Sequence, residues 1–105
     1  MKAKIYYQDF LLNAGVFNNK DLKMNVDKAT YITTLEFDVF SKNEFADNAF
    51  REMNIGETVN YPSLRSNFNR AGHTSMSIGD YIKFEDGTTW IVAPIGWDFT
   101  KVKNY

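Results

Sequence analysis

Within Tyr31-Ile32-Thr33-Thr34-Leu35-Glu36-Phe37-Asp38-Val39-Phe40-Ser41-Lys42-Asn43-Glu44-Phe45-Ala46-Asp47-Asn48-Ala49-Phe50-Arg51-Glu52-Met53, the spacing of the apolar residues changes partway along, and that change sets the fold class. From Tyr31 to Phe40 the chain alternates, with Tyr31, Thr33, Leu35, Phe37 and Val39 on one face and Thr34, Glu36 and Asp38 on the other. A period of two is the mark of a strand with one face on a core. Ser41-Lys42-Asn43-Glu44 then has the form of a capping box, in which Ser41 accepts from the Glu44 amide and Glu44 returns a bond. Phe45, Ala46, Ala49, Phe50 and Met53 follow at helical spacing. Asn54 and Gly56 supply the stop, Gly56 as a left-handed cap. A strand followed by a helix over about 42–53 is predicted.

Working outward, Lys2-Ala3-Lys4-Ile5-Tyr6-Tyr7 alternates as a half-buried strand does. Asn13 to Lys28, broken by Gly15 and Asn18-Asn19, reads as a long loop in which Asp21 to Met24 could form a helical turn. Gly56 to Thr74 reads as a second long loop, locally basic through Arg65 and Arg70. Loops of that length are uncommon in small folds and are usually either functional or disordered. Asp86-Gly87 suits a two-residue type I′ turn, which would set Phe84 opposite Thr89 and Ile82 opposite Ile91. Tyr81, Lys83 and Glu85 would then share the other face with Trp90 and Val92. Pro94 and Gly96 end or bulge the strand, and Asp98 to Val102 is a candidate last strand.

These pieces predict an α+β fold: one antiparallel sheet of four to five strands with a main helix (about 42–53) packed on one face, all of 1–105 forming a single domain. Phe45, Ala49, Phe50 and Met53 would meet Leu35, Phe37, Val39, Ile82, Phe84 and Ile91. On that assignment Phe50→Ala would cost about 3–5 kcal/mol.

Composition narrows the classes of function. The 105 residues carry a net charge of −1, which favours neither an extended phosphate-binding surface nor an acidic nucleic-acid mimic. Without cysteine there is no disulfide framework, thiolate metal site or cysteine nucleophile. No apolar run approaches the ~18–20 residues of a membrane span, and the first residues lack a signal-peptide core, so a soluble cytosolic protein is expected, with no membrane partner. The one histidine, His73, sits in the polar loop without a sequence-local acid, and the carboxylates are scattered. No catalytic, metal or cofactor-binding residues are therefore assigned, and a non-enzyme is expected. A small-molecule sponge or an enzyme would need a pocket that the sequence does not advertise.

The segment Ser75-Met76-Ser77-Ile78-Gly79-Asp80 and the later Trp90-Ile91-Val92-Ala93-Pro94-Ile95-Gly96-Trp97 resemble a set of small proteins encoded by phages and plasmids. The resemblance extends to the Lys4-Ile5-Tyr6-Tyr7 strand and to Tyr31–Met53, about two thirds of the chain. It implies an origin on a mobile element and carries no catalytic residues. The motif also has a purely structural reading: a tight turn at Gly79-Asp80 whose carboxylate bonds nearby amides, with Ser75 and Ser77 ordering the loop they end.

Nine Phe, six Tyr and two Trp exceed what a small core requires, and tryptophan, tyrosine and arginine are the types enriched at interface hot spots. Tyr81, Lys83, Trp90, Trp97, Arg65 and Arg70 are the candidate partner-binding residues, although Trp90 can equally be core. The expectation is a phage accessory protein that binds a host protein in the host cytoplasm, for instance an inhibitor of an antiviral system such as a CRISPR effector. The alternative is a single-stranded nucleic-acid-binding or nucleoprotein-associated module using Arg65 and Arg70 with Tyr61, Phe68 and Trp90.

Overall fold

The computed structural model describes residues 1–54 and 62–99. Five antiparallel strands form one sheet: β1 (Lys2–Tyr7), β2 (Thr30–Glu36), β3 (Tyr81–Phe84), β4 (Thr89–Val92) and β5 (Trp97–Asp98). Their order across the sheet is β2-β1-β3-β4-β5, so the first and third strands in sequence lie near its middle. Helices α1 (Lys42–Asn54) and α2 (Arg65–Ala71) cover one face. The segment between β1 and β2 folds over part of the other, with short 3₁₀ turns at Asn19–Asp21 and Val26–Lys28. The α+β class and the single main helix are as the sequence predicts. Among the described residues no helix is long and apolar enough to cross a membrane.

Helix α1 starts where its cap requires, the Glu44 amide donating to the Ser41 hydroxyl at 3.1 Å. Its inward stripe is Phe45, Ala46, Ala49 and Met53, all buried. Phe45 stands edge-on to Phe37 and Phe84 at 5.0 and 5.4 Å. Phe50 is the correction: it is 40% exposed, standing edge-on to Trp97 at the rim. The proposed stop at Gly56 lies outside the described residues.

Two predicted registers are overturned. The β3–β4 turn holds three residues, Glu85, Asp86 and Gly87, not two. The Phe84 amide donates to the Thr88 carbonyl at 2.9 Å, and the Gly87 amide to the Phe84 carbonyl at 3.0 Å. Gly87 takes the left-handed conformation (φ 88°), as the last position of such a turn requires. Ile82 therefore faces Trp90, and Tyr81 faces Ile91. One extra turn residue exchanges the faces of β4. Trp90 and Val92 join the helix-side core with Ile82 and Phe84, while Ile91 lies with Tyr81 in a second cluster under Leu22.

Strand β2 ends at Glu36 rather than near Phe40, and its alternation is broken. Ile5 pairs with Thr33 but Tyr6 with Tyr31, which leaves Ile32 as an extra, buried residue in a bulge. Tyr31 is thereby turned to the face opposite Thr33 and Leu35. The supposed Gly56–Thr74 loop contains a 3₁₀ turn at Pro62–Leu64 and then α2, which buries Phe68 and Ala71. Gly72 (φ 89°) ends that helix, its amide bonded to the Phe68 carbonyl. Asn67 on α2 donates to the Ile32 carbonyl at 2.9 Å, so the outer edge of β2 is partly capped. The predicted helical turn at Asp21–Met24 falls earlier, at Asn19–Asp21. The last strand is Trp97–Asp98; residues past Phe99 are outside the described set.

Candidate functional site

The densest polar cluster forms where the end of β1 meets the turn before β3. Ser77 to Asp80 is a tight turn, the Asp80 amide bonding the Ser77 carbonyl at 2.9 Å. Gly79 sits at its third position with φ 97°. A Cβ there would come within 2.2 Å of Asn13 Nδ2, so glycine is required both by conformation and by space. The buried Asp80 carboxylate accepts from the Ser77 amide and from the Gln8 amide, each at 2.7 Å. The first bond is the local one read from the sequence; the second spans the fold.

Gln8 extends the cluster. Its side-chain nitrogen donates to the Gly79 carbonyl, and its side-chain oxygen accepts from the Asn25 amide. Asn13 completes the clamp, donating to the Lys23 carbonyl at 3.0 Å and accepting from the Lys23 amide at 2.7 Å. The segment between β1 and β2 is thus held to the scaffold by buried amides rather than by regular secondary structure. Among the described residues no buried side-chain nitrogen or oxygen lacks a partner.

His73 is not a solvated loop residue. Its side chain is 13% exposed, its ring stacks on Tyr7 at 4.6 Å, and Nε2 lies 3.7 Å from Asp80 Oδ1. The pair superficially suggests a proton-transfer dyad. Yet Nδ1 faces the Ser75 carbonyl at 2.8 Å and Nε2 the Gln8 carbonyl at 2.9 Å. Both oxygens of Asp80 are taken by amides. Each of these four atoms faces a backbone group, so the pair is built into the framework that holds the loop. Burial pushes the Asp80 carboxyl up, against the lowering effects of His73 and of the Gln8 and Ser77 amides. Burial also raises the Tyr7 phenol well above its usual range, with the Asp80 charge adding to it. Its hydroxyl donates to the Thr74 carbonyl at 2.9 Å.

The six candidate partner-binding residues do not converge. Trp90 is 9% exposed, packed against Phe84 on the helix side. Tyr81 is buried on the opposite face, stacked on Tyr6 at 5.0 Å, and its phenol is pushed up to about 12 by burial and then by Tyr6. Lys83 is exposed on that same face. Arg65 and Arg70 are exposed on α2, Arg70 donating to Asn67 at 3.3 Å. Phe68, invoked with those arginines as a stacking residue, is buried, and Tyr61 lies outside the described residues.

Trp97 alone sits in a setting built for contact. With Phe50 it lines a depression of about 260 Å³, together with Asp47, Val92, Ala93 and Gly96. Ile95, at the tip of the β4–β5 turn, is 75% exposed beside it. Asn19 exchanges two hydrogen bonds with Ile95, one to its carbonyl and one from its amide, at 3.1 and 3.2 Å. Phe17, two residues before Asn19, is 85% exposed. Phe50 and Trp97 are thus the apolar rings of a depression at one end of the sheet, next to the exposed turn residue Ile95. Phe17 and Ile95 were missed because an apolar residue in a loop carries no periodic signal; only Asn18-Asn19 and Pro94-Ile95-Gly96 mark the turns. No protein-family model, curated protein or solved structure matches this chain.

Proposed function

We propose that this chain is a binding protein without a reaction of its own, and that its partner is another protein. The observation that carries the reading is the depression lined by Phe50 and Trp97, with the exposed Ile95 in the turn beside it and the exposed Phe17 joined to that turn through Asn19. Exposed apolar side chains gathered beside a recess mark interaction surfaces. The Asn19–Ile95 clamp fixes the β4–β5 turn in place before any partner arrives, which lowers the ordering cost of association. Trp97 beside a recess is the type of anchor that dominates interface energetics. The backbone bonds of His73 and Asp80, which tie the loop to the scaffold, support the non-catalytic part of the reading. The further step, to a phage or mobile-element product acting on a host defence protein such as a CRISPR effector, rests on the resemblance alone.

The test is capture from host lysate with the chain immobilised, alongside Phe17→Asp and Ile95→Asp. Both side chains are exposed, so each variant should fold to within about 0.5 kcal/mol of the wild type. One protein retained in stoichiometric amount by the wild type and lost with either variant is the expected result. Retention indifferent to both charges, or no retention at any salt concentration, would remove the reading.

A further inference from the structure

The sheet face opposite the helices is only half covered. Leu22, Met24 and Ala29 pack on Tyr81, Ile91 and Ala93, while Lys4 and Lys83 remain exposed. Strand register fixes the order of side chains across this open half. Lys4 pairs with Thr34 on one side and with Lys83 on the other. The next rank, toward the covered half, reads Tyr31, Tyr6, Tyr81. Tyr31 is 42% exposed and stands edge-on to Tyr6 at 5.7 Å.

Two ammonium groups directly opposite each other form an unfavourable cross-strand pair. Strand lysines commonly guard sheet edges, but β1 and β3 are interior strands here. Among the described residues, neither lysine has a carboxylate within 4.0 Å. A depression of about 290 Å³ runs between them, lined also by Thr34 and, at one end, by Glu85. Glu36, opposite Lys2, adds negative charge at that same end. Lys2 also lines that end and is offset by these carboxylates, so the surplus of positive charge lies in the rank beside the tyrosines.

We propose that this open half-face binds the backbone of a single-stranded nucleic acid, Lys4 and Lys83 taking phosphates and Tyr31 a base. A phosphodiester relieves the lysine pair, and an aromatic ring one rank away can stack any base. Aromatics on an open sheet face stack the bases of single strands in this way, and here the exposed ring is that of Tyr31 on the edge strand β2. This surface shares no lining residue with the Phe50–Trp97 depression at the β4–β5 end, so the two readings stand or fall independently. Two phosphate contacts imply a slope of log K against log salt near −1.4, or about 25-fold weakening over a tenfold rise in salt.

The test is fluorescence anisotropy of labelled oligo(dT) and oligo(U) titrated with the full chain over such a salt range. Saturable binding with that slope is expected. The double variant Lys4→Gln/Lys83→Gln should lose at least about tenfold in affinity and flatten the slope. Tyr31→Ala should weaken binding by about tenfold with the slope unchanged. A melting curve on each variant checks the fold, and Lys83→Thr replaces the double variant if it melts early. No saturable binding at the lowest salt, or wild-type affinity in the lysine variants, overturns the proposal. Equal affinity for polyglutamate or a phosphopeptide of matched charge overturns it as well, since charge alone would then suffice.

Discussion

At Gly79 the chain needs a left-handed backbone and has no room for a side chain. At Gly87 it needs the same backbone but meets nothing within 4 Å. The pair separates strain from crowding. Gly87→Ala should cost about 1–2 kcal/mol from conformation alone. Gly79→Ala should cost more, because Asn13 must also move and release the Lys23 backbone. Urea denaturation of the two variants checks the order; equal losses would mean that Asn13 yields freely. Asp80 offers a second test. Burial raises its carboxyl to about 7 in the folded chain, against about 3.9 for an ordinary aspartate. The folded state thus holds this proton more tightly. Its stabilising contribution is complete below about pH 4 and is lost as the pH rises through about 7. The stability of the wild type relative to Asp80→Asn should therefore be greatest below about pH 4 and fall as the pH rises through about 7. A difference that stayed constant across this window would show that the amides and His73 cancel the burial effect. The Ser77–Asp80 turn was legible from the sequence because both partners sit three residues apart. Its bond to Gln8, 72 residues away, has no local signature.

The elements divide along the same line. Helix α1 announced itself through a cap and a five-position stripe, both local, and only Phe50 was misplaced within it. Phe45→Ala should cost about 3–5 kcal/mol, because the ring is fully buried between Phe37 and Phe84. Phe50→Ala should cost only about 1 kcal/mol, as suits a rim position. Thermal melts of both variants decide between this assignment and a stripe centred on Phe50. Helix α2 escaped notice because Phe68 and Ala71 are its few apolar positions among asparagine, serine and arginine, a pattern that composition reads as loop. The β3–β4 register failed for another reason. Ile82, Phe84, Trp90, Ile91 and Val92 make both faces of the hairpin apolar, so the pattern does not arbitrate between a two-residue and a three-residue turn. Lys42 settles it through space: its ammonium bonds Asp86 and, at 2.8 Å, Thr88, tying the hairpin tip to the start of α1. That contact holds the Asp86 carboxyl below the usual carboxylate range, Lys42 contributing most and Thr88 next.

Across the whole molecule, the segment between β1 and β2 behaves as a cover fastened at a few points. Gln8 supplies three of the bonds, to Gly79, Lys23 and Asn25. Gln8→Ala should therefore speed amide exchange across 9–29 while α1 keeps its protection, as expected for a local opening. Hydrogen exchange followed by mass spectrometry reads both regions at once; equal acceleration in α1 would mean that cover and scaffold open as one unit. The six candidate contact residues were scattered because residue type alone cannot say which face of a sheet a side chain takes. A last consequence comes from the strand order. Ala3 pairs with Leu35 on one side and with Phe84 on the other. During synthesis at about 5–20 residues per second, the β1–β2 pair can close seconds before β3 leaves the ribosome. Over that interval β1 presents an unmatched row of amides and carbonyls to any neighbouring nascent chain. Slowing translation ahead of Tyr81 should thus raise the aggregated fraction of newly made protein without altering the molecules that finish.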